Sequence, residues 1–251
     1  MQFEIRTIDY YIERINNGIS FAFPGFSDAE WFCILSHDLG KKTGLGQLMT
    51  AETGQKLRRV LEDYRKDPDF LVAVPSCMWD LADFYNAGIP RRIEEFVSEI
   101  DYRLPFYERD IVTDHLAERG GLYPLISCLQ NQRTIIIGNS ALRGLDFLNY
   151  AGFIEIHGPN FHLDSAGISR VVQESKQNYA PCTVFVVCAG LSAALIISEL
   201  WKEMPDCTFL DCGSIWDAFV GIGGQREWRA RLYANPEDLG YWKKRNLMGY
   251  V

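Results

Sequence analysis

The 251-residue sequence predicts an α/β protein in which a mostly parallel sheet is flanked by helices. From residue 131 onward, strand-like runs alternate with helical stretches, and that alternation is typical of βαβ units. The strand-like runs, such as TVFVVC, are continuously apolar, as strands covered on both faces are. No linker-like composition divides the chain. One Rossmann-like domain over residues 1–251 is therefore expected.

The N-terminal part is expected to be mainly helical. Apolar residues follow helical spacing over residues 2–16, ISFAF is a short strand, and a helix begins at Ser27 or Asp28. Residues 51–66 form a helix, FLVAVPS is a strand, and WDLADFYN and RRIEEFVSEI are helices. Residues 101–121 receive no assignment.

The remaining elements build the sheet and its cover. Strands are expected at residues 71–75, 134–138, 153–157, 183–188 and 208–211. Helices are expected at residues 123–130, 141–151, 164–178 and 191–204, with a loop or short turn after residue 213.

Composition limits the classes of function. The net charge of −8 disfavours a nucleic-acid surface, which needs clustered Lys and Arg. The seven cysteines are scattered and form no CxxC, so reduced thiols and a cytoplasmic location are expected. The N-terminus does not resemble a signal peptide, and the most apolar stretch, TVFVVCAGLSAALIISELW, is interpreted as strand, turn and helix instead of a membrane span.

Two strand-to-helix turns are candidates for binding phosphate. In sheets of this kind the ligand lies at the carboxyl ends of the strands, and helix N-termini there favour anions. The turn in IIIGNSALRG contributes Gly138, Asn139 and Ser140, and the turn in VVCAGLSAAL contributes Gly190 and Ser192. A helix cap by Ser140 explains the first turn as well, and the small residues of the second turn can also serve tight helix–sheet packing.

A third turn, DCGSIWDAF, carries acids. Asp211 ends a strand, Gly213 and Ser214 follow it, and Asp217 lies six residues after Asp211. Carboxylates at strand ends can bind ribose hydroxyls or a metal. Capping of the turn explains Asp211 or Ser214 as well. Three arginines that follow could neutralise a diphosphate or form a solvated basic face. They are Arg226, Arg229 and Arg231.

Two further carboxylates stand in FAFPGFSDAEW. Asp28 and Glu30 form a D-x-E sequence, and Mg²⁺ or Mn²⁺ needs only one or two protein carboxylates beside substrate phosphates. Ser27 and Glu30 also have the S-x-x-E spacing of a capping box, so a helix start explains the same residues.

Other catalytic signatures are absent from the sequence. It has no GxGxxG, P-loop, HExxH or GxSxG, and the four histidines show no metal spacing. A methyltransferase that uses adenosylmethionine would need a glycine-rich first turn, which IIIGNSALRG does not supply.

The order of these motifs resembles the GT-D fold glycosyltransferases, from about residue 20 to residue 220. That family opens with a phrase like R-F/Y-G-D-G-E-W, to which residues 25–31 correspond, and GLGQLMTAETGQKLRRVL is similar to its Gly-rich loop and helix. VVCAGLSAALIISELW and FLDCGS are similar to its C-terminal strands, which end in D-x-G. In this chain Gly25 replaces the family's Arg, Ser27 its Gly, and Ser214 its frequent His.

The resemblance implies a metal-dependent enzyme with a single GT-D-like domain. It would move a sugar from a nucleoside-diphosphate sugar, with UDP-sugars favoured, to a hydroxyl of a saccharide or glycoconjugate. Such a hexosyltransferase-like enzyme would use Mn²⁺ or Mg²⁺, for which Glu30, Asp28 and Asp217 are the candidate ligands.

Asp217 is also the candidate general base, and Asp28 is expected to contact the ribose or the sugar. The aromatic rings of Trp31, Trp79 and Trp216 could stack on sugar or base, although core packing is expected for at least two of them. A homo-oligomer is compatible with the sequence. The alternative is a non-catalytic nucleotide-binding domain of the same fold, which the departures at Gly25 and Ser214 favour.

Overall fold

The computed structural model describes residues 2–44, 46–76, 78, 86–109, 114–179, 184–222 and 227–249. Eight strands in this part of the chain lie side by side. They are β1 (Phe3–Glu4), β2 (Ala22–Phe23), β3 (Ala73–Val74), β4 (Phe106–Glu108), β5 (Thr134–Gly138), β6 (Gly152–Glu155), β7 (Val184–Cys188) and β8 (Thr208–Asp211).

All pairings between these strands are parallel. One ladder has the order β1-β4-β3 and the other β2-β8-β7-β5-β6. Bridges from Ala22 to Phe70 and from Gly25 to Ala73 join the two ladders, and Ala73 N donates to Pro24 O at 2.9 Å. The strands therefore share one carboxyl edge, along which a ligand of such a sheet is expected.

Helices cover both faces of the sheet. They are α1 (Ile8–Asn16), α2 (Asp28–Ile34), α3 (Ala51–Tyr64), α4 (Ile89–Glu99), α5 (Asp114–Glu118), α6 (Tyr123–Gln130), α7 (Ser165–Tyr179), α8 (Ala193–Glu203), α9 (Glu227–Ala234) and α10 (Pro236–Met248). Short 3₁₀ turns span Ser140–Gly144, Asp146–Leu148, Phe161–Leu163 and Gly190–Ser192.

Alternate residues of each central strand enter different cores. Ile135 and Ile137 join the core beneath α3, α7 and α8, whereas Ile136 joins the core beneath α1, α6 and α10. Burial on both faces is why these strands are continuously apolar in the sequence. The predicted fold class is confirmed.

Two predicted elements are wrong. The expected helix over residues 141–151 is replaced by 3₁₀ turns, because Gly144 lowers helix propensity and Asn149 adopts a left-handed φ of 51°. The helix expected over residues 2–16 begins only at Ile8, because Phe3 and Glu4 pair with β4 instead. Most of WDLADFYN lies outside the described residues.

The described cysteines are free and buried, as the sequence predicts. They are Cys33, Cys128, Cys188, Cys207 and Cys212. Cys77 and Cys182 lie outside the described residues.

Candidate active site at the carboxyl edge of the sheet

Asp211 links the end of β8 to the turn that follows β2. Its Oδ2 accepts a hydrogen bond from Gly25 N at 3.0 Å, and its Oδ1 accepts one from Gly213 N at 2.9 Å. The residue is only 4% exposed. Hydrogen bonds from two backbone amides fix the carboxylate and compensate much of the cost of burying it. Asp211 and Gly213 are thus brought to the predicted edge.

Arg109, which the sequence analysis missed, lies in the same cluster. It follows β4, and its Nη2 lies 3.8 Å from Asp211 Oδ2. A Cβ on Gly25 would lie 2.9 Å from Arg109 Cζ, and one on Gly213 would lie 2.7 Å from Nη2. Two glycines, one after β2 and one after β8, therefore make the space that the guanidinium occupies. Gly213 also has a φ of +51°, which favours glycine.

The D-x-E residues point to different environments. Glu30 Oε2 accepts hydrogen bonds from Ser27 N at 2.9 Å and from Ser27 Oγ at 2.8 Å, as in the predicted capping box. Burial raises the pKa of the Glu30 carboxyl, and the Arg109 guanidinium partly opposes this shift. Asp28 is exposed in the first turn of α2. Residues two apart on a helix do not face each other, so the two acids diverge.

Asp217 contacts a protein cation. Arg229 Nη1 donates to Asp217 Oδ2 at 2.6 Å, and Arg229 Nη2 donates to Ser214 Oγ at 3.1 Å. The side chains of Arg229 and Asp217 are 3% and 12% exposed. The structure therefore buries Arg229 in a tight pair, whereas Arg231 is exposed and pairs with Glu118 at 3.3 Å. Arg226 lies outside the described residues.

The turn after β7 is filled by a side chain from a distant loop. Gln47 Oε1 accepts from Leu191 N at 3.1 Å, and Gln47 Nε2 donates to Ala189 O at 3.4 Å. Gly190, with a φ of +53°, leaves room for it, since a Cβ there would lie 2.4 Å from Gln47 Oε1. Ser192 Oγ is buried and has no hydrogen-bond partner among the described residues. The sequence gives no local sign of Gln47.

The turn after β5 caps itself. Asn139 Oδ1 accepts from Ala141 N at 3.0 Å, so Asn139 and not Ser140 is the cap. Both residues are exposed. A Cβ on Gly138 would lie 2.5 Å from Leu142 Cδ1, which explains this glycine by packing. Of the two predicted phosphate turns, only this one has its polar residues open to solvent.

The predicted aromatic contacts are mostly core contacts. Trp31 and Trp216 are completely buried, as expected for at least two of the three tryptophans. Trp79 lies outside the described residues.

The predicted metal ligands do not form a ready set. Within the described ranges, no three His, Cys, Asp or Glu side chains are grouped so as to hold a metal ion. Glu30 accepts from Ser27 and Asp217 pairs with Arg229, which leaves Asp28 as the exposed carboxylate of the three. The residues do not fit a metal ion held by protein ligands alone.

Among the described residues, none of the helices has both the length and the apolar character needed to cross a membrane.

Comparison with known proteins identifies the fold. No protein-family model and no curated protein matches the chain. A selenomethionine-substituted structure of domain of unknown function 1792 is similar, with a TM-score of 0.59 and 13% identity over 85% of this chain and 79% of that chain.

A second structure of the same domain has a TM-score of 0.58, with the same identity and coverage. It is described as showing that this highly conserved domain has a distinct glycosyltransferase fold. At this identity the similarity shows that the chain shares this fold.

Proposed function

We propose that the protein is a glycosyltransferase that moves a sugar from a nucleoside-diphosphate sugar, UDP-linked in the favoured case, to a hydroxyl of a saccharide or glycoconjugate. The fold similarity supports the glycosyltransferase class, and the charged side chains that would bind the donor lie at the carboxyl edge of the sheet. Fold alone does not define chemistry, so the proposal depends on the site.

The observation that carries the proposal is the position of Arg109. Its guanidinium lies at the carboxyl edge, beside Asp211 and close enough to Glu30 to oppose the rise in that residue's pKa. Transfer of a sugar leaves negative charge on the departing diphosphate. A planar guanidinium fixed in advance can hydrogen-bond to phosphate oxygens, and Arg is favoured for that purpose.

Gly25 and Arg109 also account for the departure from the family's opening phrase. This chain has no side chain at position 25, and the Arg109 guanidinium lies against that position. In our proposal the positive charge of the site comes from the residue after β4 instead of from the turn after β2.

We propose that a divalent ion binds together with the substrate and not to the protein alone. The carboxylates do not form a resident site, but Mg²⁺ and Mn²⁺ commonly bind through substrate phosphates and one or two carboxylates. Asp28 would then be the protein ligand, and the ion would act as a Lewis acid toward the diphosphate. Calorimetry should detect Mn²⁺ binding in the presence of UDP and little without it. Equal Mn²⁺ binding without nucleotide would contradict binding of the ion through the substrate.

Asp217 has a positional role in this proposal. Through Arg229 it holds Ser214, and thereby the turn that follows Asp211. The predicted role as general base would require its carboxylate to leave Arg229.

Calorimetric titration with UDP and with GDP, each with Mn²⁺, tests the site. Arg109→Gln should weaken nucleotide binding about tenfold or more, because a charged hydrogen bond is worth about 1.5–3 kcal/mol. Arg91→Gln is the matched control, since Arg91 is 85% exposed and pairs with Glu95 in the same helix. Equal affinities in both variants would refute the assignment of Arg109.

A second candidate is a non-catalytic nucleotide-binding domain. One observation favours it: Asp211, Glu30 and Asp217 each already have protein partners. Nucleotide binding without release of nucleoside diphosphate from any sugar donor would support this candidate over the enzyme.

A further inference from the structure

A separate cavity lies between the end of α5, α9 and α10. It has a volume of about 300 Å³, at the lower end of the range for small-molecule sites. Trp228 and Trp242 line it, with ring centroids 5.9 Å apart, and both are more than nine-tenths buried. Trp242 Nε1 donates to Ala117 O at 2.6 Å, which fixes the ring. We call this cavity the C-terminal groove.

The rim of the C-terminal groove combines an exposed aromatic ring with arginines. Tyr241 is 66% exposed, and the guanidinium of Arg245 lies 5.8 Å from its ring centroid. Arg119 and Arg231 also line the groove. Tyr241 and three arginines therefore share the lining of the groove, in a chain whose net charge is −8.

The acids of the groove only partly balance these cations. Glu118 pairs with Arg231 at 3.3 Å, and Asp238 accepts from Asn235 Nδ2 at 2.9 Å as part of the start of α10. Within the described ranges Arg119 forms no ion pair. Three arginines against two acids leave the lining with one net positive charge.

The groove is connected to the candidate active site through α9. Trp228 lines the groove, and the next residue, Arg229, donates to Asp217 and to Ser214 in the turn after β8. Neighbouring residues on a helix point in different directions, so α9 presents one side to the groove and another to the site. A ligand in the groove would lie against the helix that holds this turn.

We infer that the C-terminal groove binds an anionic saccharide. Aromatic rings pack on the apolar faces of sugar rings, while guanidinium groups form paired hydrogen bonds with carboxylate or phosphate. This inference stands on the groove itself and does not depend on the proposed function. The anion is either a uronic carboxylate or a sugar phosphate.

Titration of tryptophan fluorescence tests the binding inference. The probes are trigalacturonate, glucose 6-phosphate and neutral maltotriose, added to the full chain. We expect saturable quenching by at least one anionic probe and none by maltotriose. Trigalacturonate alone would identify a carboxylated ligand, and glucose 6-phosphate alone a phosphorylated one. Quenching by neither anion, or equally by maltotriose, would overturn the inference.

Two surface variants separate binding in the groove from binding elsewhere. The double variant Arg119→Gln/Arg231→Gln should weaken the quenching about tenfold or more. Tyr241→Ala should weaken it severalfold, because a stacked ring is lost, while Arg91→Gln should leave it unchanged. These side chains are exposed, so folding is preserved. Unchanged quenching in both groove variants would refute the site.

Affinity for UDP with Mn²⁺ separates this inference from the proposed function. The groove variants should keep the wild-type affinity for nucleotide. If the anionic saccharide binds and no nucleotide does, the proposed function fails and the groove remains a saccharide site. If nucleotide binds and no saccharide quenches, the inference about the groove fails alone.

Discussion

Asp211 ends β8 and Asp217 follows six residues later, and each lies beside an arginine, yet the two pairs differ. The Asp217–Arg229 pair is tight, at 2.6 Å, and its arginine is 3% exposed. The Asp211–Arg109 pair is loose, at 3.8 Å, because backbone amides of Gly25 and Gly213 already occupy the carboxylate oxygens.

The two pairs differ in what they hold in place. Arg229 holds α9 against the turn after β8, whereas Arg109 lies in a space that two glycines leave open at the carboxyl edge. Charge type and spacing in the sequence do not distinguish the two aspartates.

The largest expected effect on stability comes from breaking the tight pair. Asp217→Leu alone or Arg229→Met alone should lower the free energy of unfolding by about 3–5 kcal/mol, because each removes one member of a buried ion pair. The double variant should recover much of this loss. Urea unfolding measures all three, and single-variant losses below about 1 kcal/mol would show that the pair is not structural.

Substitution of the glycine beside Arg109 should have the next largest effect. Gly213→Ala forces a Cβ into a left-handed position and against Arg109 Nη2, at an expected cost of about 1–3 kcal/mol. Gly240→Ala is the control, since it lies in α10 with nothing within 4 Å, and should stabilise the protein by about 1 kcal/mol. The midpoint temperature of thermal unfolding should therefore fall for Gly213→Ala and rise for Gly240→Ala. A rise for Gly213→Ala would argue against close packing of Gly213 on Arg109.

Glu30 should make stability depend on pH. Its pKa is raised in the folded state, so the folded protein binds more protons than the unfolded chain once the pH exceeds the ordinary glutamate value of about 4.3. Stability should fall as the pH rises from there through the raised pKa. Glu30→Gln should abolish this slope in urea unfolding measured at several pH values. An unchanged slope would mean that Glu30 is not the group responsible.

The smallest expected effect on stability belongs to Asp28. The side chain is exposed, so Asp28→Asn should cost no more than about 1 kcal/mol, the upper range for an acid near a helix N-terminus. Binding of UDP with Mn²⁺ should nevertheless weaken. Calorimetry and urea unfolding on the same sample check both parts, and wild-type affinity would remove Asp28 from the proposed site.

The sequence predicts the central strands well because burial on both faces leaves long apolar runs. β5, at Thr134–Gly138, and β8, at Thr208–Asp211, have the predicted bounds. β1 and β4 were missed, because two or three residues flanked by charges carry no periodic signal. Without β4 in the predicted sheet, Arg109 is not placed at the carboxyl edge. The charged residues that directly follow FYE are the only local sign of that position in the sequence.

The candidate site was predictable only in part. The capping box of Ser27 and Glu30 is local, and the sequence contains it. The partners of Gly25 and Gly190 lie far away in the chain, at Asp211 and Gln47, so no nearby residue signals them. The sequence likewise marks Arg229 only as one of three arginines, and burial in the folded chain separates it from Arg231.

Release of nucleoside diphosphate from UDP-glucose, UDP-N-acetylglucosamine and GDP-mannose, measured with Mn²⁺, tests the central claim most directly. We expect wild type and Arg91→Gln to release nucleoside diphosphate from at least one donor at equal rates. Arg109→Gln should release it at least about tenfold more slowly. No release from any donor, or equal release by Arg109→Gln, would contradict the account.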